Sequence, residues 1–140
     1  MSDYDALLVA LAAKFAHAVA LAEGFFVQGS LPERVHNPGD LELGNRGWGV
    51  EQGKTIYFKA DLESSLDDRA DGWAALKREC VAILTGGSRE YSPSDTFEEV
   101  SVKWTGGDNP GAWCKIVTDN LGVQPLDRLV DWVKAAAQQA

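Results

Sequence analysis

The sequence has few basic residues and few cysteines, and each shortage excludes a class of protein. Thirteen Lys and Arg residues stand against 21 Asp and Glu residues, which gives a net charge of −8 at pH 7. Nucleic-acid-binding domains carry a basic surface, so this balance argues against a nucleic-acid partner. Two cysteines, Cys80 and Cys114, are too few for a disulfide framework. Both fall in helical patterns, and we expect them to be buried free thiols.

The sequence also lacks motifs for metal binding, for cofactor binding and for export. No His and Cys cluster has metal-ligand spacing, and there is no phosphate loop or dinucleotide fingerprint, so we expect no metal and no cofactor. The N-terminus is acidic from Asp3 to Asp5, where a signal peptide has positive charge. Lys14 and His17 interrupt the apolar run that follows, which argues against a membrane span. We therefore expect a protein made in the cytoplasm without an export signal of its own.

The amino acids that are present predict one domain over residues 1–140, of the α+β class and mostly helical. Its 45% hydrophobic and 24% charged content is that of an ordinary globular protein. The length suffices for one hydrophobic core but not for two independent ones. No internal repeat or linker divides the chain.

The first stretch predicts a long helix from about Asp3 to Glu23. Its apolar side comprises Leu8, Ala12, Phe15, Ala16 and Val19. Glu23 follows Lys14 by nine residues, which places the two about 180° apart on a helix of about 100° per residue. Glu23 therefore belongs to the apolar side, where burial raises the pKa of a carboxyl group and suits it to general-acid catalysis. Gly24 ends the helix.

A surface role for Glu23 is the alternative interpretation. An acidic side chain at the C-terminal end of a helix interacts unfavourably with the helix dipole, which favours the functional interpretation.

Residues 24–40 lack periodicity and are rich in glycine and proline, which predicts a loop. The alternation in Asp40–Leu43 and the run Thr55–Phe58 predict two strands of an antiparallel hairpin or small sheet, with Gly53-Lys54 as a turn. Trp48 lies at the glycine-rich tip and is either a packing residue or a platform for sugar stacking.

After residue 60 the pattern predicts a helical lobe that reaches the C-terminus. Residues that start or stop helices are Asp61 or Ser64/Ser65, Gly86-Gly87, the capping box Thr96–Glu99, Asp108 or Asn109 with Pro110, Gly122, and Pro125. The predicted inward residues are Trp73, Leu76, Cys80, Ile83, Phe97, Val100, Trp104, Trp113, Ile116, Val117, Leu121, Leu126, Leu129, Val130 and Val133.

Six short motifs are distributed along the chain. They are Ala22-Glu-Gly-Phe25, Gly29-Ser30, Arg34, Asn37-Pro-Gly-Asp40, Gly72-Trp-Ala-Ala-Leu76 and Gly122-Val123. Together they resemble small phage and prophage peptidoglycan-degrading enzymes of the lysozyme-like superfamily, close to soluble lytic transglycosylases and goose-type lysozymes. The resemblance runs from about residue 8 to residue 131. It implies a lysozyme-like fold with a long buried N-terminal helix, a small antiparallel hairpin and a C-terminal helical lobe.

The resemblance implies that Glu23 is the general acid of a glycosidase. In this family a loop of the form Arg-Asn-Asn-Asn-Pro-Gly-Asn lines the cleft, and here it runs from Arg34 to Asp40. Val35, His36 and Asp40 replace three of its asparagines.

A second catalytic carboxylate has three candidates by position. Asp40 is the first choice, and Glu42 and Glu51 lie on or near the predicted hairpin. Asp40 as a turn residue bonded to nearby backbone is the alternative. A lytic transglycosylase needs no second carboxylate, because the sugar's own C6 hydroxyl closes the ring while Glu23 acts first as acid and then as base.

The expected substrate-binding residues are Ser30, Arg34, Asn37, Trp48, Tyr57 and Asn109. Asn37 has an alternative role in shaping the turn before Pro38, and Tyr57 could simply alternate with its strand neighbours. The segment Asp108–Trp113 is similar to a late family motif that usually ends in Tyr. Trp113 therefore retains packing there but loses a hydroxyl near the cleft.

The expected substrate is the glycan strand of peptidoglycan, cleaved by a monomer at β-1,4 bonds between MurNAc and GlcNAc. Phage lysis, a virion or another delivery system would bring the protein to the cell wall. One alternative is a non-catalytic wall-binding or virion structural domain, favoured by the acidic surface and by the changes at residues 35 and 36. Another is a chitinase-like enzyme that shares Glu23.

Overall fold

A computed structural model describes residues 2–42, 47–63 and 65–139. Within these ranges it contains six helices and one two-stranded antiparallel sheet, which confirms the predicted mostly helical α+β class. The elements are α1 (Asp3–Ala22), α2 (Leu31–Arg34), β1 (Val50–Gln52), β2 (Thr55–Tyr57), α3 (Gly72–Thr85), α4 (Phe97–Thr105), α5 (Pro110–Leu121) and α6 (Leu129–Gln139).

Helix α1 has well-defined signals at both ends. Ser2 caps its start in a reciprocal capping box with Asp5. At its C-terminus the amide of Gly24 donates to Leu21 O at 3.1 Å and the amide of Phe25 donates to Ala20 O at 3.0 Å. This is a Schellman motif, and Gly24 adopts the left-handed φ of 76° that it requires. Glu23 is the C-cap residue, so the predicted helix end is confirmed to within one residue.

Helix α1 is the central element of the core. Its buried residues are Leu8, Leu11, Ala12, Phe15, Ala16, Ala18, Val19 and Ala20, and the helix packs against α3, α5 and α6. Phe15 is fully buried, with edge-to-face ring contacts to Phe97 at 6.1 Å and to Trp132 at 6.2 Å. By length and composition α1 could also cross a membrane. It packs extensively against three other helices, which is typical of a core helix. Its residues Lys14 and His17 are exposed.

The region between α1 and α3 differs from the prediction in two places. The predicted loop 24–40 contains the one-turn helix α2, because Ser30 caps it and Pro32 occupies its first turn. The predicted strand at Asp40–Leu43 is wrong for residues 40–42, and Leu43 lies outside the described residues. Asp40 has a left-handed φ of 46°, which no strand accommodates.

The strand that pairs with β2 is instead β1, in the register Val50–Tyr57, Glu51–Ile56 and Gln52–Thr55. The two-residue connection Gly53-Lys54 joins them as predicted, with φ of 64° at Gly53. Ile56 is fully buried and anchors the hairpin to the core.

Helix α3 begins later than predicted. Asp61 and Ser65 do not cap it, and Ser64 lies outside the described residues. The N-cap is Asp71, whose Oδ1 accepts from the amides of Trp73 at 2.9 Å and Ala74 at 3.1 Å. Its Oδ2 accepts from the amide of Leu62 at 2.8 Å, so one buried carboxylate ties the helix start to the preceding loop.

The remaining helices follow their predicted signals closely. The Thr96–Glu99 capping box starts α4, Asn109 and Pro110 start α5, and glycines end α3, α4 and α5. The prediction that Ile116 and Leu126 face inward is wrong, since these residues are 41% and 73% exposed. Cys80 and Cys114 are free and buried, as predicted.

Candidate active site

Glu23 lies where α1 ends against α5. The Schellman turn aims its side chain toward α5, and Nε1 of Trp113 donates a hydrogen bond to its Oε1 at 2.9 Å. The two residues are 90 positions apart in sequence, so this contact depends on the packing of α1 against α5. The side chain is partly buried and retains some access to solvent.

The surroundings of Glu23 raise its pKa from 4.5 to about 7. The largest cause is burial, which penalises the charged carboxylate. The hydrogen bond from Trp113 opposes this by stabilising the charged form, and the nearby negative charges of Asp40 and Glu42 add to the increase. A carboxyl group with a pKa of about 7 exchanges protons readily at neutral pH.

The turn at residues 37–41 is built around the buried side chain of Asn37. Its Nδ2 donates to Leu41 O and to Ile56 O, both at 3.0 Å, and its Oδ1 accepts from Leu41 N at 2.9 Å. The side chain has no exposed surface. Asn37 therefore takes the turn-shaping role left open by the sequence, and it joins the turn to β2.

Asp40 is part of this turn and lies near Glu23. It is partly buried, and its charge contributes to the raised pKa of Glu23. Burial raises the pKa of Asp40 itself, and the charge of Glu42 adds to that increase. Glu42 is exposed, and Glu51 is exposed on β1. Of the three predicted second carboxylates, Asp40 and Glu42 act electrostatically on Glu23, in that order of strength.

Val35 and His36 directly precede this turn and connect it to neighbouring segments. Val35 is buried, and its carbonyl accepts from the amide of Phe58 at 3.0 Å. His36 has a φ of 54°, and its Nδ1 lies 2.9 Å from Oδ2 of Asp61. The two residues that replace asparagines of the resembled loop thus anchor it to the hairpin and to the segment before α3.

Two glycine contacts show how tightly the turn is seated. A Cβ on Gly72 would lie 1.8 Å from the carbonyl oxygen of His36, and one on Gly39 would lie 2.6 Å from Cδ1 of Leu76. The contact at Gly72 is with backbone, so only glycine there permits the turn to lie directly on α3, whereas the contact at Gly39 is with the end of the Leu76 side chain. The motif Gly72–Leu76 therefore supports the site without reaching it.

Two tryptophans complete the site. The sequence predicted Trp104 as a packing residue and placed Trp113 in a motif near the cleft, but it did not indicate that either indole N–H donates a hydrogen bond there. The indole rings of Trp104 and Trp113 stack with centroids 5.7 Å apart and an interplanar angle of 28°. Nε1 of Trp104 donates to the carbonyl oxygen of Gly39 at 3.1 Å. The signal that could have identified them is chemical, since a buried indole N–H needs an acceptor and inward Trp residues point toward one.

The other predicted substrate-binding residues lie in varied surroundings. Ser30 caps α2, and its Oγ accepts from the amide of Glu33 at 3.4 Å. Arg34 is exposed on α2, Tyr57 is 39% exposed on β2, and Asn109 is exposed with a φ of 51°. Asn109 makes no side-chain hydrogen bond to the start of α5.

Trp48 makes both a packing contact and a polar one. It is partly buried against the core, and the Arg69 guanidinium lies 5.6 Å from its ring centroid. The contact with Arg69 is a cation–π arrangement that covers one ring face.

An exposed aromatic and aliphatic surface begins directly after Glu23. Phe26 is 52% exposed and Val27 is 62% exposed, while Leu31 lies nearby in sequence at 40%. The ring of Phe26 contacts Trp73 at 6.1 Å and His17 at 5.3 Å. These contacts place Phe26 against His17 of α1 and Trp73 of α3, and the exposed apolar side chains here form a surface suited to a ligand with apolar faces.

A separate groove of about 920 Å³ lies on another side of α1. It is lined by Leu11, Ala13, Lys14, His17, Asn120, Leu121, Gly122, Val123, Asp127, Asp131, Trp132, Ala135, Ala136 and Gln139. Neither Glu23 nor Asp40 belongs to it. Glu23 is the candidate for chemistry because it combines partial burial, a raised pKa and a hydrogen bond from Trp113, whereas the groove is distinguished by its volume.

The arrangement around Glu23 can donate and accept a proton next to a negatively charged neighbour. Within residues 2–42, 47–63 and 65–139, no group of three or more His, Cys, Asp or Glu side chains could hold a metal ion. A carboxyl group in the setting of Glu23 can take part in general acid and base chemistry.

Comparisons with known proteins identify no relative, so the candidate site is defined by its geometry. No protein-family model matches the chain, and neither a curated protein nor a solved structure matches it.

Proposed function

We propose that this protein cleaves the glycan strand of peptidoglycan, with Glu23 as the general acid. The observation that carries the proposal is the partly buried carboxyl group of Glu23, whose pKa of about 7 keeps a large fraction protonated at neutral pH. Such a group can donate a proton to the leaving oxygen of a glycosidic bond. Lysozyme is the type case of an acid whose pKa is raised by burial for this purpose.

The resemblance of the sequence supplies the substrate class. Glu23 ends a long buried helix, and the turn Asn37–Asp40 lies beside it, as the lysozyme-like superfamily would require. We propose a lysozyme-like fold on the same grounds. Phe26 and Val27, which follow Glu23 in sequence by three and four residues, are exposed and offer apolar contact for sugar rings.

Two reactions fit a site with this acid. Lytic transglycosylation, in which Glu23 first donates and then accepts a proton, uses one carboxyl group. Hydrolysis with a second carboxylate, acting as nucleophile or stabilising positive charge, needs that carboxylate to be ionised. Asp40 is the candidate for the second role, since its negative charge raises the pKa of Glu23, while burial and the charge of Glu42 raise the pKa of Asp40 itself. Both reactions use Glu23 as the acid, and analysis of the products separates them.

The test is product analysis on purified peptidoglycan. Wild-type protein and Glu23→Gln are incubated with peptidoglycan from pH 5 to pH 8, and soluble products are identified by mass spectrometry. Anhydro-muramyl ends from the wild type alone would support transglycosylation, and reducing ends would mean hydrolysis instead.

A matched control replaces another carboxylate by an amide. Asp131→Asn alters an exposed carboxylate of the groove, and we expect its products and rates to equal those of the wild type. Binding of peptidoglycan without any product at any pH would overturn the enzymatic proposal and favour a non-catalytic wall-binding domain.

A further inference from the structure

The hydrogen bond between Trp113 and Glu23 has a fixed direction. An indole N–H is a donor only, so Oε1 of Glu23 must act as the acceptor in both protonation states. When Glu23 is protonated, its carbonyl oxygen is a better acceptor than its hydroxyl oxygen, so this hydrogen bond favours the proton on Oε2. Trp113 is 5% exposed, and this burial limits the orientations that its ring can take.

The same indole is positioned by a second one. Trp104 stacks on Trp113 at a centroid distance of 5.7 Å and donates through Nε1 to the carbonyl oxygen of Gly39 at 3.1 Å. The ring of Tyr91 contacts that of Trp104 at a centroid distance of 5.7 Å and a tilt of 36°. Glu23 and the carbonyl that precedes Asp40 are thus held by two adjacent rings of one aromatic stack.

We propose that Trp104 and Trp113 are positioning residues, with Trp113 favouring Oε2 of Glu23 as the oxygen that carries the proton and Trp104 fixing the turn beside it. This inference deepens the proposed function, and its consequence for catalysis rests on that function. The positions of the two hydrogen bonds do not rest on it. Stacking transmits orientation between them because the rings are in contact over their faces.

The hydrogen bond from Trp113 and the nearby charged groups have opposite effects on the pKa of Glu23. Asp40 and Glu42, both near the turn, raise the pKa of Glu23 in addition to burial. Trp113, from α5, is the group that lowers it. Removal of the indole N–H should therefore raise the pKa of Glu23, whereas a merely structural role of Trp113 predicts no directed change.

The decisive variant is Trp113→Phe, which keeps an aromatic ring and removes the donor. The pKa of Glu23 is measured by NMR from the pH dependence of its side-chain carboxyl carbon. We expect an upward shift of about one pH unit, since a hydrogen bond to a charged group is lost. An unchanged midpoint in a folded variant would overturn the proposal.

Trp104→Phe is the matched control, because it removes the other indole N–H and keeps a ring in the stack. We expect the Glu23 midpoint to move by less than about 0.3 pH unit, since Trp104 donates to Gly39 and not to Glu23. Equal shifts in both variants would mean that general loosening of the helices, and not the hydrogen bond, moves the midpoint.

A measurement on the unaltered protein keeps the proposal testable if Trp113→Phe does not fold. The indole Nε1 proton of Trp113 should change its chemical shift with a midpoint of about 7, together with the Glu23 carboxyl carbon. This titration should disappear in Glu23→Gln, whose side-chain oxygen remains an acceptor but does not ionise. An indole signal that does not titrate in the wild type would overturn the proposal.

Kinetics on peptidoglycan separates the two positioning roles. In Trp113→Phe we expect kcat to fall roughly tenfold with little change in KM, because the proton is no longer favoured on Oε2, and the alkaline limb of the pH profile to move upward. In Trp104→Phe we expect mainly a higher KM and an unmoved alkaline limb. If the wild type cleaves nothing, the proposed function fails, while the NMR titrations still decide whether Trp113 positions Glu23.

Discussion

The C-terminal end of α1 and the groove along its Lys14 edge show two ways in which one helix meets its surroundings. The groove has a volume of about 920 Å³, and its charged residues Lys14, Asp127 and Asp131 are exposed. The region of Glu23 lies outside that groove and holds a partly buried carboxyl group with a hydrogen bond from Trp113. Water screens the charges of the first region and is partly excluded from the second.

The comparison teaches that the partly buried carboxyl group of this helix lies outside the large groove, so the proposed site rests on the surroundings of Glu23 and not on the size of a cavity. The two regions also differ in how they are built. The Glu23 region is seated through backbone contacts and buried hydrogen bonds at Gly72 and Asn37. The groove is lined by helix surfaces and by the open turn at Gly122.

The largest expected difference between the two regions is in catalysis. We expect Glu23→Gln to lower the rate of peptidoglycan cleavage by about 10³-fold, which is within the usual contribution of a general acid. Asp131→Asn in the groove should remain within about twofold of the wild type, since an exposed carboxylate there takes no part in the chemistry. Initial rates of product release at pH 6 measure both. A large loss in Asp131→Asn with little loss in Glu23→Gln would move the active site to the groove.

A backbone contact provides the next contrast. Gly72→Ala places a Cβ 1.8 Å from the carbonyl oxygen of His36, so the turn must move away from α3. We expect a loss of about 4 kcal/mol in the free energy of unfolding. Gly122→Ala in the groove meets nothing within 4 Å and carries only the strain of its φ of 71°, a cost of about 1 kcal/mol. Urea unfolding compares them, and equal losses would contradict the close seating of the turn.

Two asparagine substitutions, one in each region, give a third comparison. Asn37→Ala removes three hydrogen bonds in a side chain with no exposed surface, and we expect it to cost about 3 kcal/mol. Asn120→Ala, at an exposed position in the groove, should change stability by less than about 0.5 kcal/mol. Thermal unfolding at pH 6 measures both. A tolerated Asn37→Ala would mean that the turn holds its shape without the side chain.

The smallest effect is the pH dependence of stability that Glu23 contributes. Its carboxyl group loses its proton near pH 4.5 in the unfolded chain and near pH 7 in the folded one. Between these values the folded state binds more protons, so the free energy of unfolding falls as pH rises. The fall amounts to about 2 kcal/mol after allowance for the partial exposure of Glu23.

The measurement is urea unfolding of wild type and Glu23→Gln at pH 4.5, 6 and 8. Glu23→Gln should lose most of the decline, because its amide does not ionise. Asp40 contributes a decline of the same sign, since its pKa is also raised, and this part should survive in the variant. Asp131→Asn should retain the whole wild-type profile. Parallel profiles for wild type and Glu23→Gln would mean that the pKa of Glu23 is not raised.

Much of the helical framework could be predicted because its signals are local. Ser2, Thr96 and Pro110 start helices, and Gly24, Gly86 and Gly122 end them, since each acts on backbone groups within one turn of itself. Periodicity likewise placed Phe15, Leu76 and Leu129 in the core.

The predictions failed where distant residues decide the local conformation. The strand at Asp40–Leu43 had the correct alternation, but the Asn37 side chain takes the amide and the carbonyl of Leu41 and so prevents pairing at that position. The start of α3 at Asp71 depends on a carboxylate shared with Leu62, nine residues earlier. Leu126 was assigned to a helical face, but the helix begins at Leu129.

For the candidate site, the sequence by itself determined where the carboxyl group of Glu23 lies on its helix. The spacing of Glu23 from Lys14 placed its carboxyl group on the apolar side of α1, and Gly24 fixed the helix end. Only the tertiary structure decided its partners, because Trp113 lies 90 residues away and Trp104 reaches Gly39 across 65 residues. Hydrogen bonds and ring stacking have a range of a few ångströms, so which distant side chains meet Glu23 is set by how α1, α4 and α5 pack.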